Sequence, residues 1–229
     1  MNLALFDLDH TLIPFDSGMA WTRFLIERGV LGPEFESIYL EECKLYVTGT
    51  LDIHALHRTM VTPLGRLPRT TLDALLRDFR GELAPTLPAA SHALVARHRA
   101  AGDLCCVVTA TTRFIAERYA HGFGIEHLLA TEAALDAGGS LTGDIDGLPC
   151  YREHKLARLH EWLAARGRRL GEFERSSFYS DSFNDLPLLQ AVSDPVAVRP
   201  DPRLRAMAEA KGWPIEMLAS PGPTRETAG

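Results

Sequence analysis

The chain has few of the features that mark several large protein classes. Its 229 residues contain only four cysteines, Cys43, Cys105, Cys106 and Cys150, and no Cys-x-x-Cys pair. Cys105 and Cys106 lie inside an apolar run. A disulfide frame and a cysteine zinc site are therefore not expected, and reduced thiols in a reducing compartment are. No apolar run approaches the roughly 20 residues that cross a bilayer. Positive charge is outnumbered: 24 Lys and Arg stand against 30 Asp and Glu, a net of −6, which makes general nucleic-acid binding unexpected. The one basic cluster, Arg166-Gly167-Arg168-Arg169, reads as a solvated surface near a helix end. The N-terminal segment meets acid at Asp7 without a basic leader, so no signal peptide is expected, and the expected location is cytoplasmic. What is present is ordinary for a folded chain: 46% hydrophobic and 24% charged residues. The length suits one core domain with a sizeable insert.

Two rhythms alternate along the chain. Residues 2–6 are a short apolar run that ends in Asp7-Leu8-Asp9, the pattern of a buried strand with acids at its carboxyl end. From about residue 16 the period becomes helical. One helix starts at a cap on Asp16 or Ser17 and closes at Gly29. Further helices are predicted over 34–47, with Phe35, Ile38 and Tyr39 on one side, over 52–62 and over 69–80. After the prolines at 85 and 88, strands and helices alternate. Helices are predicted at 88–101, 113–122, 153–166, 184–191 and 202–211. Strands are predicted at 104–108, 127–131, 177–180 and 195–198, and a hairpin around Gly138-Gly139. This predicts an α/β fold: a doubly wound parallel sheet, a Rossmann-like core formed by 1–15 and 85–218, with an all-helical cap inserted over 16–84. The tail, 219–229, is expected to be disordered.

In open parallel sheets, ligands bind outside the carboxyl ends of the strands. Here those ends deliver Asp7, Thr109 and Asp181, with Asp9 and Asp185 close behind. Clustered carboxylates repel, and one pKa rises unless a cation offsets them. Asp7, Asp9, Asp181 and Asp185 are thus the candidate metal-binding set, and Mg²⁺ suits it, because this ion takes few carboxylates and keeps places for water and phosphate oxygens. The competing reading makes Asp181 and Asn184 caps of the following helix. The Thr109 hydroxyl, with free backbone N–H groups at the start of the helix that Ala110-Thr111-Thr112 leads into, forms a candidate phosphate cradle. Lys155 opens a long helix, where a cation opposes the helix dipole, so a charge partner is expected.

In order, Phe6-Asp7-Leu8-Asp9-His10-Thr11, Val107-Val108-Thr109-Ala110-Thr111, Lys155 and Tyr179-Ser180-Asp181-Ser182-Phe183-Asn184-Asp185-Leu186-Pro187 resemble the haloacid dehalogenase-like phosphohydrolases, within them the phosphoserine-phosphatase-like branch. The resemblance implies that Asp7 is the nucleophile and becomes an aspartyl phosphate, and that Asp9 is the general acid and base. It implies Mg²⁺ held by Asp7, the Asp9 carbonyl and Asp181. It assigns the phosphoryl oxygens to Thr109, the Ala110 amide and Lys155, phosphate or substrate contact to Asn184, and the orientation of Lys155 or a metal-bound water to Asp185. The second acid, Asp9, favours phosphate esters over haloacids. The chain carries Ser180-Asp181-Ser182 where phosphoserine phosphatases carry Gly-Asp-Gly. Asp16 is the candidate for pairing with a substrate ammonium, with helix capping as its alternative role. Arg23, Arg28 and Arg58 are candidates for a cap arginine.

The expected activity is Mg²⁺-dependent hydrolysis of a small phosphomonoester, phosphoserine and histidinol phosphate among the possible substrates. A phosphotransferase would use the same residues. A receiver-like signalling module is disfavoured by the cap and by Asp9. A binding protein on a dead scaffold is disfavoured because every catalytic position is filled. The expected partner is a small molecule, with neither nucleic acid nor membrane, and monomer and homodimer are both open. His10 reads as the variable position of its motif, His54 and His57 as a solvated cap face, and Trp21 and Phe24 as cap core rather than a substrate platform.

Overall fold

The computed structural model describes residues 1–83 and 87–218. The chain runs through β1 (Leu3–Phe6), α1 (Ser17–Glu27), α2 (Glu34–Thr48), α3 (Ile53–Val61), α4 (Arg69–Leu83) and α5 (Ala89–Ala100). It continues through β2 (Leu104–Thr112), α6 (Arg113–Gly122), β3 (His127–Thr131), β4 (Ala133–Leu135), β5 (Leu141–Ile145) and α7 (Glu153–Ala164). It ends with β6 (Ser176–Ser180), α8 (Leu186–Ala191), β7 (Asp194–Val198), α9 (Pro202–Lys211) and β8 (Ile215–Glu216). Six strands form one parallel sheet in the order β3-β2-β1-β6-β7-β8.

β1 is the central strand and is buried on both faces, which is why it reads as an unbroken apolar run. Ala4 and Phe6 face one apolar cluster with α5 and α6; Leu3 and Leu5 face the other with α7, α8 and α9. The chain builds the sheet outward from β1 through β2 to β3, then returns past β1 to β6. That reversal opens the crevice at the carboxyl ends of β1 and β6.

The four helices between β1 and α5 form the cap. The aromatic rings of Trp21 and Phe24 in α1 stack on one another and meet Phe79 of α4. These rings join Ile115, Ala116 and Tyr119 of α6 in one buried cluster, so α1 and α4 are welded to the sheet's helical layer. α2 differs from its sequence reading. It has no buried residue; Ile38, expected to share an apolar side with Phe35 and Tyr39, is 37% exposed, and Val47 is 68% exposed. The helix packs mainly on α1 and spans a cavity, so its apolar residues are divided between cavity and solvent.

β2 runs four residues beyond its predicted end at 108. The Thr131 hydroxyl donates to the Ala110 carbonyl at 2.7 Å, and pairing with β3 resumes at Thr112 after a register shift. The antiparallel hairpin β4–β5 forms around Gly138-Gly139 as predicted and lies against α3. β8 has two residues, too few to show an alternating pattern in sequence. The predicted core–cap junction at 84–85 and the 219–229 tail lie outside the described residues. No helix among the described residues is long and apolar enough to cross a membrane.

Candidate active site

β1 ends at Phe6, and the chain then makes a wide turn over Leu8–Leu12, closed by the Ile13 N–H donating to the Leu8 carbonyl at 3.1 Å. His10 takes a positive φ of 55°, a costly geometry for a residue with a side chain. The Arg199 guanidinium holds this turn by donating to the carbonyls of His10 and Thr11. The turn separates the two acids. Asp7 faces the centre of the site, while the Asp9 carboxylate is held by the Ser17 N–H at 2.6 Å and the Thr111 hydroxyl at 2.6 Å.

Asp7 is buried between two donors. Lys155 Nζ lies 2.8 Å from its Oδ1, and the Thr11 hydroxyl lies 3.3 Å from its Oδ2. The same hydroxyl lies 3.2 Å from Asp181 Oδ1, so its single proton serves one carboxylate at a time, and it accepts from the Asp181 N–H at 3.0 Å. Lys155, only 1% exposed, also donates to Asp185 Oδ2 at 2.7 Å. Its expected charge partner is thus a pair. Burial alone would lower the Lys155 pKa, but Asp185 and Asp7 push it well above the usual lysine value, so it stays charged.

Burial raises the pKa of all four acids. Lys155 offsets part of the rise at Asp7 and Asp185, and Asp185 is still pushed up to about 6. At Asp9, the charge of Asp16 adds to burial. Asp181 is raised well above the carboxylate range by burial, then by Asp7 and Asp185. One buried lysine therefore faces an excess of buried acid.

That excess is the test of a metal here. Among the described residues no group of three or more His, Cys, Asp or Glu side chains is placed to hold an ion alone. Asp7 and Asp181, however, converge on Thr11 with hard oxygen donors, and Mg²⁺ characteristically takes only one or two carboxylates and keeps its waters. The donor set fits Mg²⁺. The Asp9 carboxylate has both oxygens engaged by Ser17 and Thr111, which leaves its backbone carbonyl as the candidate ligand. Asp185 Oδ2 is taken by Lys155 and the Ser180 hydroxyl, and its Oδ1 is buried without a protein partner.

A stability experiment follows. Between the unfolded carboxylate pKa of 3.8 and about 6 at Asp185, the folded protein holds more protons than the unfolded chain. In chelator, the stability that Asp185 contributes should therefore be fully present at low pH and be lost as pH rises through about 6. Millimolar Mg²⁺ should restore it at pH near 7.5 and do little at pH near 5. Melting curves should show a gap of a few degrees, since about 1 kcal/mol moves Tm by roughly 2–4 °C at this size. An equal response to Mg²⁺ at both pH values would remove the acids from the metal assignment.

The remaining sequence candidates are distributed as follows. Thr109 is buried inside β2, before its end at Thr112, and its hydroxyl accepts from the Thr111 N–H at 3.2 Å, so the expected cradle at a helix start lies instead within a strand. Thr109 and Ala110 line a cavity of about 420 Å³ whose floor includes Asp7, Asp9 and Asp181. Asp16 also lines it, accepts from the Met19 N–H at 2.7 Å as the cap of α1, and accepts from the Tyr39 hydroxyl at 2.8 Å. Asn184 is turned to the cap: its amide donates to the Tyr46 carbonyl at 2.9 Å, and Arg152 donates to the nearby Gly49 carbonyl at 3.0 Å. These bonds pin the end of α2 to the core. Asp181 and Asn184 do not cap the next helix, because Ser182 accepts the Asn184 N–H there.

None of the three cap arginines lines the cavity. Arg23 pairs with Glu36, Arg28 with Asp78 and Glu82, and Arg58 with Asp144, all at exposed positions where ion pairs need no ligand. His54 stays exposed, whereas His57 is buried in the cavity wall, which corrects the expectation of a solvated pair. Trp21 is cap core as expected and also lines the cavity; Phe24 is core alone.

Four site residues carried no assignment from sequence. Thr11 and Thr111 stand inside the quoted motifs, so their spacing from Asp7 and Thr109 was the available signal. Ser17 was visible only as a helix cap. Tyr46 of α2 lines the cavity, and its phenol is held well above the usual tyrosine pKa by burial and then by Asp185. No motif marks it.

Comparison with known proteins places this geometry. The profile of the haloacid dehalogenase-like hydrolases matches residues 4–190. A Neisseria meningitidis serogroup C protein named histidinol-phosphatase is 41% identical over 216 residues, covering 93% of this chain and 97% of that one. A Mycobacterium tuberculosis protein named phosphoserine phosphatase is 29% identical over 222 residues, covering 93% of this chain and 69% of that one. Among solved structures, a Bordetella pertussis Tohama I protein of unknown function superposes with a TM-score of 0.87 at 41% identity, covering 95% of this chain and 99% of that one. A substrate-bound phosphoserine phosphatase superposes with a TM-score of 0.68 at 19% identity, covering 94% and 93%, a likeness of fold. The chain belongs to the haloacid dehalogenase-like hydrolase family.

Proposed function

We propose that this phosphomonoester hydrolase of the haloacid dehalogenase-like family acts on a small ester whose leaving alcohol carries an amine and no carboxylate, with histidinol phosphate as the leading substrate. The observation that carries the chemistry is the fixed division of labour between two acids. Asp7 is buried against Lys155, and Asp9, two residues on, is held away from it by Ser17 and Thr111 beside the cavity.

In the proposed reaction an Asp7 carboxylate oxygen attacks phosphorus and the bond to the leaving oxygen breaks. Asp9, whose raised pKa favours its acid form, gives its proton to that oxygen, and the alcohol departs. Asp9 then takes a proton from water as the water attacks the phosphorus of the aspartyl phosphate, which frees Asp7 and inorganic phosphate. Lys155 offsets charge on the phosphoryl oxygens and on Asp7. Mg²⁺, held by Asp7, Asp181 and the Asp9 carbonyl, would supply charge neutralisation at the phosphoryl group. Thr109 and Ala110 border the place where that group would sit. A phosphotransferase would need the same residues, and no feature of the cavity favours a second acceptor over water.

The choice of leaving group rests on the cavity wall. No Arg or Lys side chain lines it among the described residues, while Asp16 does. A carboxylate there would be desolvated without a cation, which is costly; an ammonium would meet Asp16. The high identity to a protein named histidinol-phosphatase agrees with this choice. A panel of phosphomonoesters assayed with Mg²⁺ tests it: kcat/KM for histidinol phosphate should exceed that for phosphoserine at least tenfold, and chelation should remove both activities. Asp16→Asn keeps a capping side chain. It should cost about ten- to a hundredfold on histidinol phosphate, the worth of a hydrogen bond to a charged group, and little on phenyl phosphate. Equal losses on both esters would reduce Asp16 to a helix cap.

A further inference from the structure

Two side chains that line the cavity carry a buried polar atom with no partner: Trp21 at Nε1 and His57 at Nε2. Such orphans are rare in folded proteins, because each has lost its water without gaining a partner. The two differ in kind. An indole nitrogen only donates. The His57 ring is set by its other nitrogen, Nδ1, which lies 2.9 Å from the Gly143 carbonyl of β5. A carbonyl only accepts, so the proton is on Nδ1 and Nε2 is an acceptor. Burial lowers the His57 pKa, which keeps the ring neutral.

His57 is out of character with its helix face. Ile53, Leu56 and Met60 of α3 line the same wall and are apolar. The chain also keeps the hairpin close enough to orient the ring. Gly143 has φ of 91°, and a Cβ there would fall 2.1 Å from the Thr62 hydroxyl oxygen, so only glycine lets β5 approach α3 this closely.

We propose that His57 and Trp21 are specificity residues that read the leaving alcohol, His57 accepting from and Trp21 donating to a flat nitrogen heterocycle of imidazole type. Such a ring, when neutral, presents one N–H and one bare nitrogen, the complement of the two orphans. Both protein nitrogens are buried, so this recognition requires each side chain to turn toward the cavity as the ring seats. The proposal rests on the phosphatase reading above and adds how that site would select its substrate.

The test uses the full-length enzyme at pH near 8, where an ordinary imidazole is neutral. It compares histidinol phosphate with phenylalaninol phosphate, which replaces imidazole by phenyl, and with phenyl phosphate. Wild-type enzyme should favour the imidazole ester over the phenyl analogue at least tenfold in kcat/KM. His57→Leu should lower kcat/KM for the imidazole ester about 5- to 100-fold and leave the other two esters within about threefold. His57→Gln, whose amide can donate to Gly143 and present an oxygen to the cavity, should recover most of the loss. Trp21→Phe should lower the imidazole preference in the same direction. Calorimetric binding of histidinol against phenylalaninol reads the same preference without turnover, should one variant fold poorly. Equal losses on imidazole and phenyl esters, or an unchanged preference in His57→Leu, would overturn the proposal. Wild-type enzyme that prefers histidinol phosphate with no change in either variant rejects these residues while keeping the phosphatase reading; inertness to every ester rejects both.

Discussion

Asp7→Asn should abolish turnover of every phosphomonoester and prevent any phosphoenzyme from forming. The amide is a poor nucleophile, and the substitution also removes the charge that Lys155 Nζ meets at 2.8 Å. The fold should survive. Lys155 keeps Asp185 at 2.7 Å, and removing one of several mutually repelling acids relieves part of their burial cost. A melting temperature at or above wild type together with lost activity is the expected pair of results. Residual activity near wild type would place the nucleophile elsewhere.

Asp9→Asn should act differently. The nucleophile remains, but the proton donor for the leaving oxygen and the acceptor for the hydrolytic water are gone. General acid–base help is typically worth about 10²–10⁴-fold, and kcat should fall by that order for an alkyl ester. The fall should be smaller for an aryl ester, whose leaving oxygen needs less protonation. The asparagine can still accept from the Ser17 N–H or the Thr111 hydroxyl, so the turn after β1 keeps an anchor. Equal losses for alkyl and aryl esters would mean that Asp9 positions the site without transferring the proton.

The parts of the fold and site readable in the sequence were those written in local pattern. β1 is a short apolar run closed by acids, and the helices of the cap follow the 3.6-residue period, so the sheet, the insert and the segments that carry Asp7, Thr109 and Asp181 could be located. What escaped depends on contacts between distant segments. Thr111 becomes a partner of Asp9, 102 positions away, only because β2 continues past Thr109 through its pairing with β3. The exposure of α2 was illegible because an apolar residue on a cavity wall looks like one on a core face. His57 looked solvated because its partner, Gly143, lies 86 positions away in the hairpin. The serines beside Asp181, which depart from the glycines of phosphoserine phosphatases, have a local use: Ser180 donates to Asp185 at 2.7 Å, and Ser182 accepts the Asn184 N–H.

The central claim is that phosphate passes through Asp7, and acid quenching tests it most directly. Wild-type enzyme, Asp9→Asn and Asp7→Asn are each mixed with histidinol phosphate and Mg²⁺, quenched in acid within the first turnover, and the phosphorylated peptide is mapped. The account predicts phosphate on Asp7 in the wild-type enzyme, persisting longer in Asp9→Asn wherever the first transfer occurs, and none in Asp7→Asn. A phosphoenzyme of normal yield in Asp7→Asn, or phosphate mapped to any other residue, would contradict it.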